Sequence, residues 1–292
     1  MLRLLRSELY RLSRRWMPWI MLGLIVITAF LFYFLIWASV RAQLEAVRNG
    51  TIPSPPGGTA QLEQTLRQIA PDRVAQLGVG IVSGLGSVML IVFAASHVGT
   101  EFGWGTFRTL LAHGASRSGF LTVKAVALVL YAFVFMIVGT LAAIGASFAV
   151  SAVAGMSTGT GVDLGEVARV AAKSGYTFIP YMALALAIAV WSKSAGAGIA
   201  AGLVVYFAEG IVAGILVSLN RDYAQFVNWG LSRNASALTR TVTGQGGPAT
   251  QDPTASTLPD PTQAAVVLAV YTALFLVLAY WRLRSRDVTV GG

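Results

Sequence analysis

The sequence predicts an all-α integral membrane protein, and two observations carry that reading. Six long stretches are almost free of charge: residues 16–40, 74–100, 125–162, 174–192, 194–219 and 261–281 hold one acid between them, Glu209. Hydrophobic residues make up 55% of the 292 and charged residues only 11%, with a positive mean hydropathy, which no soluble core of that size matches. A bilayer core of about 30 Å needs roughly 20 apolar residues per spanning helix. Five runs exceed this and the fourth barely reaches it. The expected spans are Met17–Val40, Val79–His97, Ala125–Ala149, Gly175–Val190, Ala195–Leu219 and Ala264–Trp281, within a single transmembrane domain over 1–292.

The first sixteen residues form an element of their own. Leu2, Leu5, Leu9, Leu12 and Trp16 recur at three- and four-residue steps, with Arg3, Arg6, Ser7, Arg11 and Arg14 on the opposite face. This predicts an amphipathic helix in the membrane interface, its arginines over anionic headgroups, or more simply a basic topology anchor. Pro18 then restarts the chain as a spanning helix. The apolar run that follows is too long for a cleaved signal peptide and continues into a helical pattern over 41–48.

Six spans place both termini on one side. On the N-terminal side, segments 1–16, 98–124, 191–194 and 282–292 hold twelve Lys/Arg and three acids in 58 residues; the opposite segments hold nine and eight in 105. Basic density sets orientation, so the prediction is N-in, C-in, with both termini cytoplasmic. Among the outer loops, 49–58 is turn-rich, and Leu62, Leu66 and Ile69 give a short helix ended by Pro71. Residues 244–262 have no periodicity and four prolines, the pattern of a mobile loop. Pro180 in the short fourth run predicts a kink or a re-entrant entry.

Catalytic motifs are missing from the sequence. It lacks a phosphate-binding loop, a His-Glu-x-x-His zinc motif and a Gly-x-Ser-x-Gly elbow, so neither catalytic residues nor a cofactor are expected on this chain. With no cysteine and only His97 and His113, no metal centre is expected. The net charge of +9 is read as membrane topology, with no nucleic-acid partner.

The most informative segment joins the second and third spans: His97-Val-Gly-Thr-Glu101-Phe-Gly-Trp-Gly105-Thr106-Phe107-Arg108-Thr-Leu110-Leu111-Ala-His-Gly114-Ala-Ser116-Arg117, with Lys124 entering the third span. Phe107, Leu110 and Leu111 share a helical face, stopped by Gly114. A short helix showing such side chains suits a partner's groove, with Arg108, Arg117 and Lys124 facing lipid or the partner's acids. An acid ending the second span, then Gly-Thr-x-Arg-x-Leu-Leu, Ser-Arg and a lysine, resembles the ABC-2 permease family, closest to bacterial drug-, bacteriocin- or bacitracin-type exporters. Phe107 stands where that family more often has an aliphatic residue. The resemblance spans most of the chain, including the basic tail with Arg286-Asp287. It implies a permease that pairs with a second copy or a paralogue and binds two separate ATPase subunits carrying ATP and magnesium. Glu101, Phe107, Arg108, Leu110, Leu111 and Arg117 would then form the coupling loop.

Glu209 is the other candidate. An acid at membrane depth costs several kcal/mol unless paired, hydrogen-bonded or wet. The same helix carries Gly198, Gly202, Tyr206, Gly210 and Gly214 at four-residue steps, a face suited to close packing. Two readings stand: Glu209, with Tyr206, Gly202 and Gly210, lines a substrate route or dimer interface, or it is a structural carboxyl near the outer surface. Rival functions for the whole chain are a self-contained secondary transporter, which calls for inverted repeats and more intramembrane charges, and an anchor or scaffold, which leaves the patterned 98–119 loop unexplained.

Overall fold

The structure, a computed structural model, describes residues 2–53, 58–103, 116–155, 161–243 and 257–285. In chain order these form α1 (Leu2–Arg14), α2 (Trp16–Arg48), α3 (Gly58–Gln68), a 3-10 turn (Pro71–Arg73), α4 (Leu77–Gly103), α5 (Arg117–Ala154), α6 (Leu164–Ser192), α7 (Ala195–Leu219), a second 3-10 turn (Arg221–Tyr223), α8 (Ala224–Val227), α9 (Leu231–Thr243) and α10 (Pro261–Ser285). No strand occurs among the described residues. Helices α2, α4, α5, α6, α7 and α10 are long and apolar enough to cross a membrane. This is an all-α membrane protein.

Helix ends extend beyond the apolar runs for local reasons. Pro18 sits in the first turn of α2, where its missing N–H breaks no helical bond. At its far end α2 continues to Arg48, helped by the Arg41–Glu45 pair (3.1 Å) one turn apart, and Gly50 at φ +68 then turns the chain. Between α6 and α7 a two-residue break suffices. Lys193 takes the left-handed conformation (φ 57), and Ser194 caps α7 by accepting from the Ala197 N–H (3.3 Å).

The fourth span corrects the sequence reading. It is a 29-residue helix with Pro180 inside it, long enough to cross, and not a re-entrant stub. Glu166, Arg169 and Lys173 had interrupted the apolar run, but Val167, Val170 and Ser174 are buried at helical spacing between them.

The chain divides into two compact units. One comprises residues 20–86 and 135–173. Ile25, Ala29 and Tyr33 of α2, Val79 and Val82 of α4, and Phe135, Ala143 and Ala146 of α5 are fully buried there. Gly139 lets α5 come close, since a Cβ would press on Val82 and Ile25. Ser147 Oγ donates to the Ile69 carbonyl (2.6 Å). The expected stripe on α3 is realised: Leu62 packs with Val40 and Leu44, Leu66 lies beside them, and Ile69 is buried.

The other unit comprises residues 1–19, 87–134 and 174–292. Its helices meet through small residues. A Cβ at Gly99 would run into the Ala195 backbone. One at Gly198 would lie 2.8 Å from the Ala185 carbonyl, and one at Gly202 would lie 2.7 Å from Ile91. The first half of the glycine face of α7, Gly198 and Gly202, is therefore taken up within the chain by α4 and α6.

Beyond α7 the chain doubles back. Asn220 ends α7 and starts the 3-10 turn by accepting the Asp222 N–H at its side chain (2.9 Å). Helix α9 then packs against α10 and α7. Its first turn meets Glu209, ten residues before the end of α7, which is about 15 Å back along the helix at 1.5 Å per residue. The re-entering element of this fold is thus the 220–243 segment, which the sequence reading had left within an outer loop. The second half of that loop, 244–256, lies outside the described residues.

Candidate functional site

A buried ionic cluster joins α1 to the two helix ends that frame the 104–115 loop. Glu8 is the single acid of α1, and it is buried on the face it shares with Leu12 and the partly buried Arg15. Lys124, 1% exposed, lies near the start of α5 and places its Nζ 2.5 Å from Glu8 Oε1 and 2.9 Å from Glu101 Oε1. The same ammonium reaches the His97 carbonyl (3.4 Å). Glu101, fully buried in the last turn of α4, also accepts from Arg15 (2.9 Å). Arg11 pairs with Glu8 from the partly exposed rim.

His97 completes the cluster. Its Nε2 lies 3.1 Å from Glu8 Oε1, a close contact short of a formed hydrogen bond, and its Nδ1 has no hydrogen-bond partner among the described residues. The ring stacks on Phe93, which in turn meets Tyr131. Tyr131 donates to the Pro18 carbonyl (2.8 Å), a further tie between α5 and the chain just after α1.

Electrostatics in the cluster favour the charged form of Glu8. Burial pushes its carboxyl up, but the His97 ring and the Lys124 ammonium outweigh burial and hold it at about 2, against an ordinary 4.5. No group of three or more His, Cys, Asp or Glu among the described residues is placed to hold a metal. Chemically the cluster is a clamp: two carboxylates share one ammonium, with arginines closing the open sides.

Of the residues expected in the coupling loop, Glu101 is placed inside this clamp. Phe107, Arg108, Leu110 and Leu111 lie outside the described residues, and Arg117 opens α5. Glu8 escaped the sequence reading, although a lone acid seven residues before Arg15, on the same helical face of a basic segment, was a signal. Lys124 was read as facing lipid or a partner. A lysine set in the apolar start of a span calls for a buried counter-ion instead.

Glu209 has a different environment. Its Oε1 accepts the Ser232 N–H (3.0 Å) in the first turn of α9. The N-cap position is Gly230, and a Cβ there would collide with that same oxygen. A carboxylate from α7 thus does the capping that Gly230 cannot do, at the end of α9 where the helix dipole favours negative charge. Around it, Arg233 donates to Asn228 Oδ1 (3.1 Å) and to the Thr257 carbonyl and hydroxyl (3.0 and 2.7 Å). Asn234 donates to the Asn228 and Gly230 carbonyls. Tyr206 packs edge-on against the buried Tyr181, Gly202 is buried against Ile91 and Ala185, and Gly210 lies close to Ser232. These four candidates line the seam between α7 and its own neighbours.

Fold and site together define a polytopic, all-α membrane protein whose N-terminal helix is tied by charge to the ends of one inter-span loop. The chain belongs to the DUF2705 family, described as a protein of unknown function, which matches residues 79–289. No curated protein matches the chain. The family match includes Glu101, Lys124, Glu209 and Gly230, and begins after the helix that supplies Glu8 and Arg15.

Two expectations follow from these contacts. The Glu8 carboxyl sits below its unfolded value, so its stabilisation is complete above about pH 4.5 and is lost as pH falls toward 2. Thermal unfolding in detergent should therefore show a loss on the order of 3 kcal/mol across that window, absent in Glu8→Gln; an unchanged acid profile in that variant would place the acid-sensitive group elsewhere. For Glu209, Gln keeps an acceptor oxygen and Leu does not. Leu should cost about 1–3 kcal/mol by orphaning the α9 N–H, and Gln much less, in the same assay. Equal losses would mean that charge, not hydrogen bonding, holds α9.

Proposed function

We propose that this chain is the membrane-spanning permease subunit of an ATP-driven ABC exporter. The observation that carries the reading is the loop after α4: its Gly-Thr-x-Arg-x-Leu-Leu and Ser-Arg pattern resembles the ABC-2 coupling segment, and the acid and lysine of that pattern, Glu101 and Lys124, are paired at 2.9 Å at its base. A loop that receives force from a partner needs firm ends, and a buried ion pair between the flanking helices supplies them. In this reading the chain is not an enzyme. ATP and magnesium belong to two ATPase subunits beneath a pair of permeases, and Phe107, Leu110 and Leu111 insert into a groove on each. Export runs across a bacterial cytoplasmic membrane.

The reading also sets the orientation, with both termini and the 98–119 segment in the cytoplasm, as the basic density of those segments requires. The chain has no cysteine, so single cysteines at Ser116, Thr254 and Ser285 can be probed with an impermeant thiol reagent. Only the Thr254 site should label in intact cells. Labelling at Ser116 or Ser285 with Thr254 silent would reverse the topology.

Coupling is tested through the partner. An ABC ATPase with a phosphate-binding loop is expected in a neighbouring reading frame, and the two chains should co-purify when expressed together. A buried leucine side chain contributes roughly 1.5–3 kcal/mol, so Leu110→Ser/Leu111→Ser should remove a few kcal/mol from the interface. The double variant should insert and dimerise normally yet lose the ATPase and ATP-driven transport. Full retention of the ATPase would show that the partner docks elsewhere.

A further inference from the structure

Helix α1 presents three distinct sides. At about 100° per residue, the side centred on Glu8 and Leu12 faces the protein, where Glu8 meets Lys124 and His97. About a quarter turn away, Leu9 is exposed, and Trp16 and Trp19 just beyond the helix are more than half exposed. Round the other way, Arg3, Arg6 and Arg14 are exposed, with Arg14 lying over the Tyr10 ring (5.3 Å). Because Glu8 is turned inward, the outward surface of α1 carries no negative charge.

That division has a direct electrostatic consequence. A surface helix with mixed charges is indifferent to lipid charge, whereas this one has its acid neutralised inside and its arginines left outside. The chain enters the first span only two residues after α1 ends, so the Arg14 end of the helix lies beside the boundary of that span. Exposed tryptophans beside it match the side chains that settle at a membrane–water interface. Each basic side chain near an anionic leaflet contributes about 1 kcal/mol, a factor of about five.

We propose that α1 is a binding element for anionic phospholipid headgroups, and that lipid held there fixes α1 on the Glu101–Lys124 pair at the base of the 104–115 loop. The link is Glu8 and Arg15: α1 contributes an acid to Lys124, and the residue that follows it contributes a base to Glu101, so α1 cannot lift without taking Glu8 from Lys124. Lipid composition thereby sets how firmly the loop ends are held. This inference does not depend on an ATPase, and the experiment uses the permease chain alone.

The full chain is reconstituted from detergent into nanodiscs of phosphatidylcholine, with or without phosphatidylglycerol. Lipid retained after re-extraction should be enriched in phosphatidylglycerol. The enrichment should fall about fivefold for each arginine removed and reach the bulk ratio in Arg3→Gln/Arg6→Gln/Arg14→Gln. The corresponding triple lysine variant, which keeps the charge, should retain it. Spin labels on Ser13→Cys/Ser118→Cys then report the docking of α1 against the start of α5. Their distance distribution should be narrow with phosphatidylglycerol, broad without it, and broad in both when Glu8→Gln is added. Unchanged enrichment in the glutamine variant would overturn the binding site, and a distribution insensitive to lipid would overturn its link to the loop.

Discussion

Moving a carboxylate or an ammonium out of water costs several kcal/mol even after relaxation, and the cluster at the end of α4 buries two of one and one of the other. Lys124 makes this tolerable because its single Nζ lies within ion-pair distance of both Glu8 and Glu101. Arg15 and Arg11 approach the two acids from partly exposed positions. The consequence is mutual dependence. If α1 and Arg15 leave, Lys124 keeps Glu101 and the His97 carbonyl, and Glu101 loses Arg15. Such a cluster adds little net stability compared with an apolar core, but it permits only one register of α1 against α4 and α5. Registration is what a loop strung between those two helices needs.

Glu209, a half-buried acid, solves the same problem without a cation. Glu209 meets the exposed N–H groups at the start of α9, whose partial positive charge belongs to the backbone. The two solutions differ in what can release them. An ion pair responds to protons and to competing charge, while a backbone cap holds as long as α9 remains a helix beside α7. Gly230 makes the cap possible by leaving room for the carboxylate, so the doubling back of the chain rests on one missing methyl group.

The six spans and the amphipathic character of α1 were legible in the sequence because both are periodic patterns of strongly apolar residues. What was hidden falls into two kinds. The side on which α1 docks could not be read from its leucines: Leu9 is exposed while Glu8 is buried, because the pairing with Lys124 outranks the apolar stripe. The 220–243 segment was hidden for the opposite reason. Its buried face is built from Leu231, Ala237, Leu238 and the polar Arg233 and Asn234, so hydropathy signals an outer loop where hydrogen bonds to Thr257 make a packed element. The role of Glu209 followed the same course. The cost of an acid at membrane depth was evident from its position, but its partner, twenty-odd residues on, is a backbone N–H that no side-chain pattern announces.

The geometry of the clamp also constrains how force on the 104–115 loop would travel. Glu101 is two residues before the end of α4, and Lys124 is a little under two turns into α5. A push on the loop therefore meets the ion pair before it can splay the helices, and while the pair holds, α4 and α5 respond as one lever. Arg15 and Glu8 add α1 to that lever, along with the lipid it touches. Breaking the pair leaves buried charges without their partners, which is costly. In the structure the loop base is closed on the ammonium, with Glu8 and Glu101 both on Lys124. Under the proposed function, a paired loop base would pass a partner's push on to both helices and to the segment that carries Glu8 and Arg15.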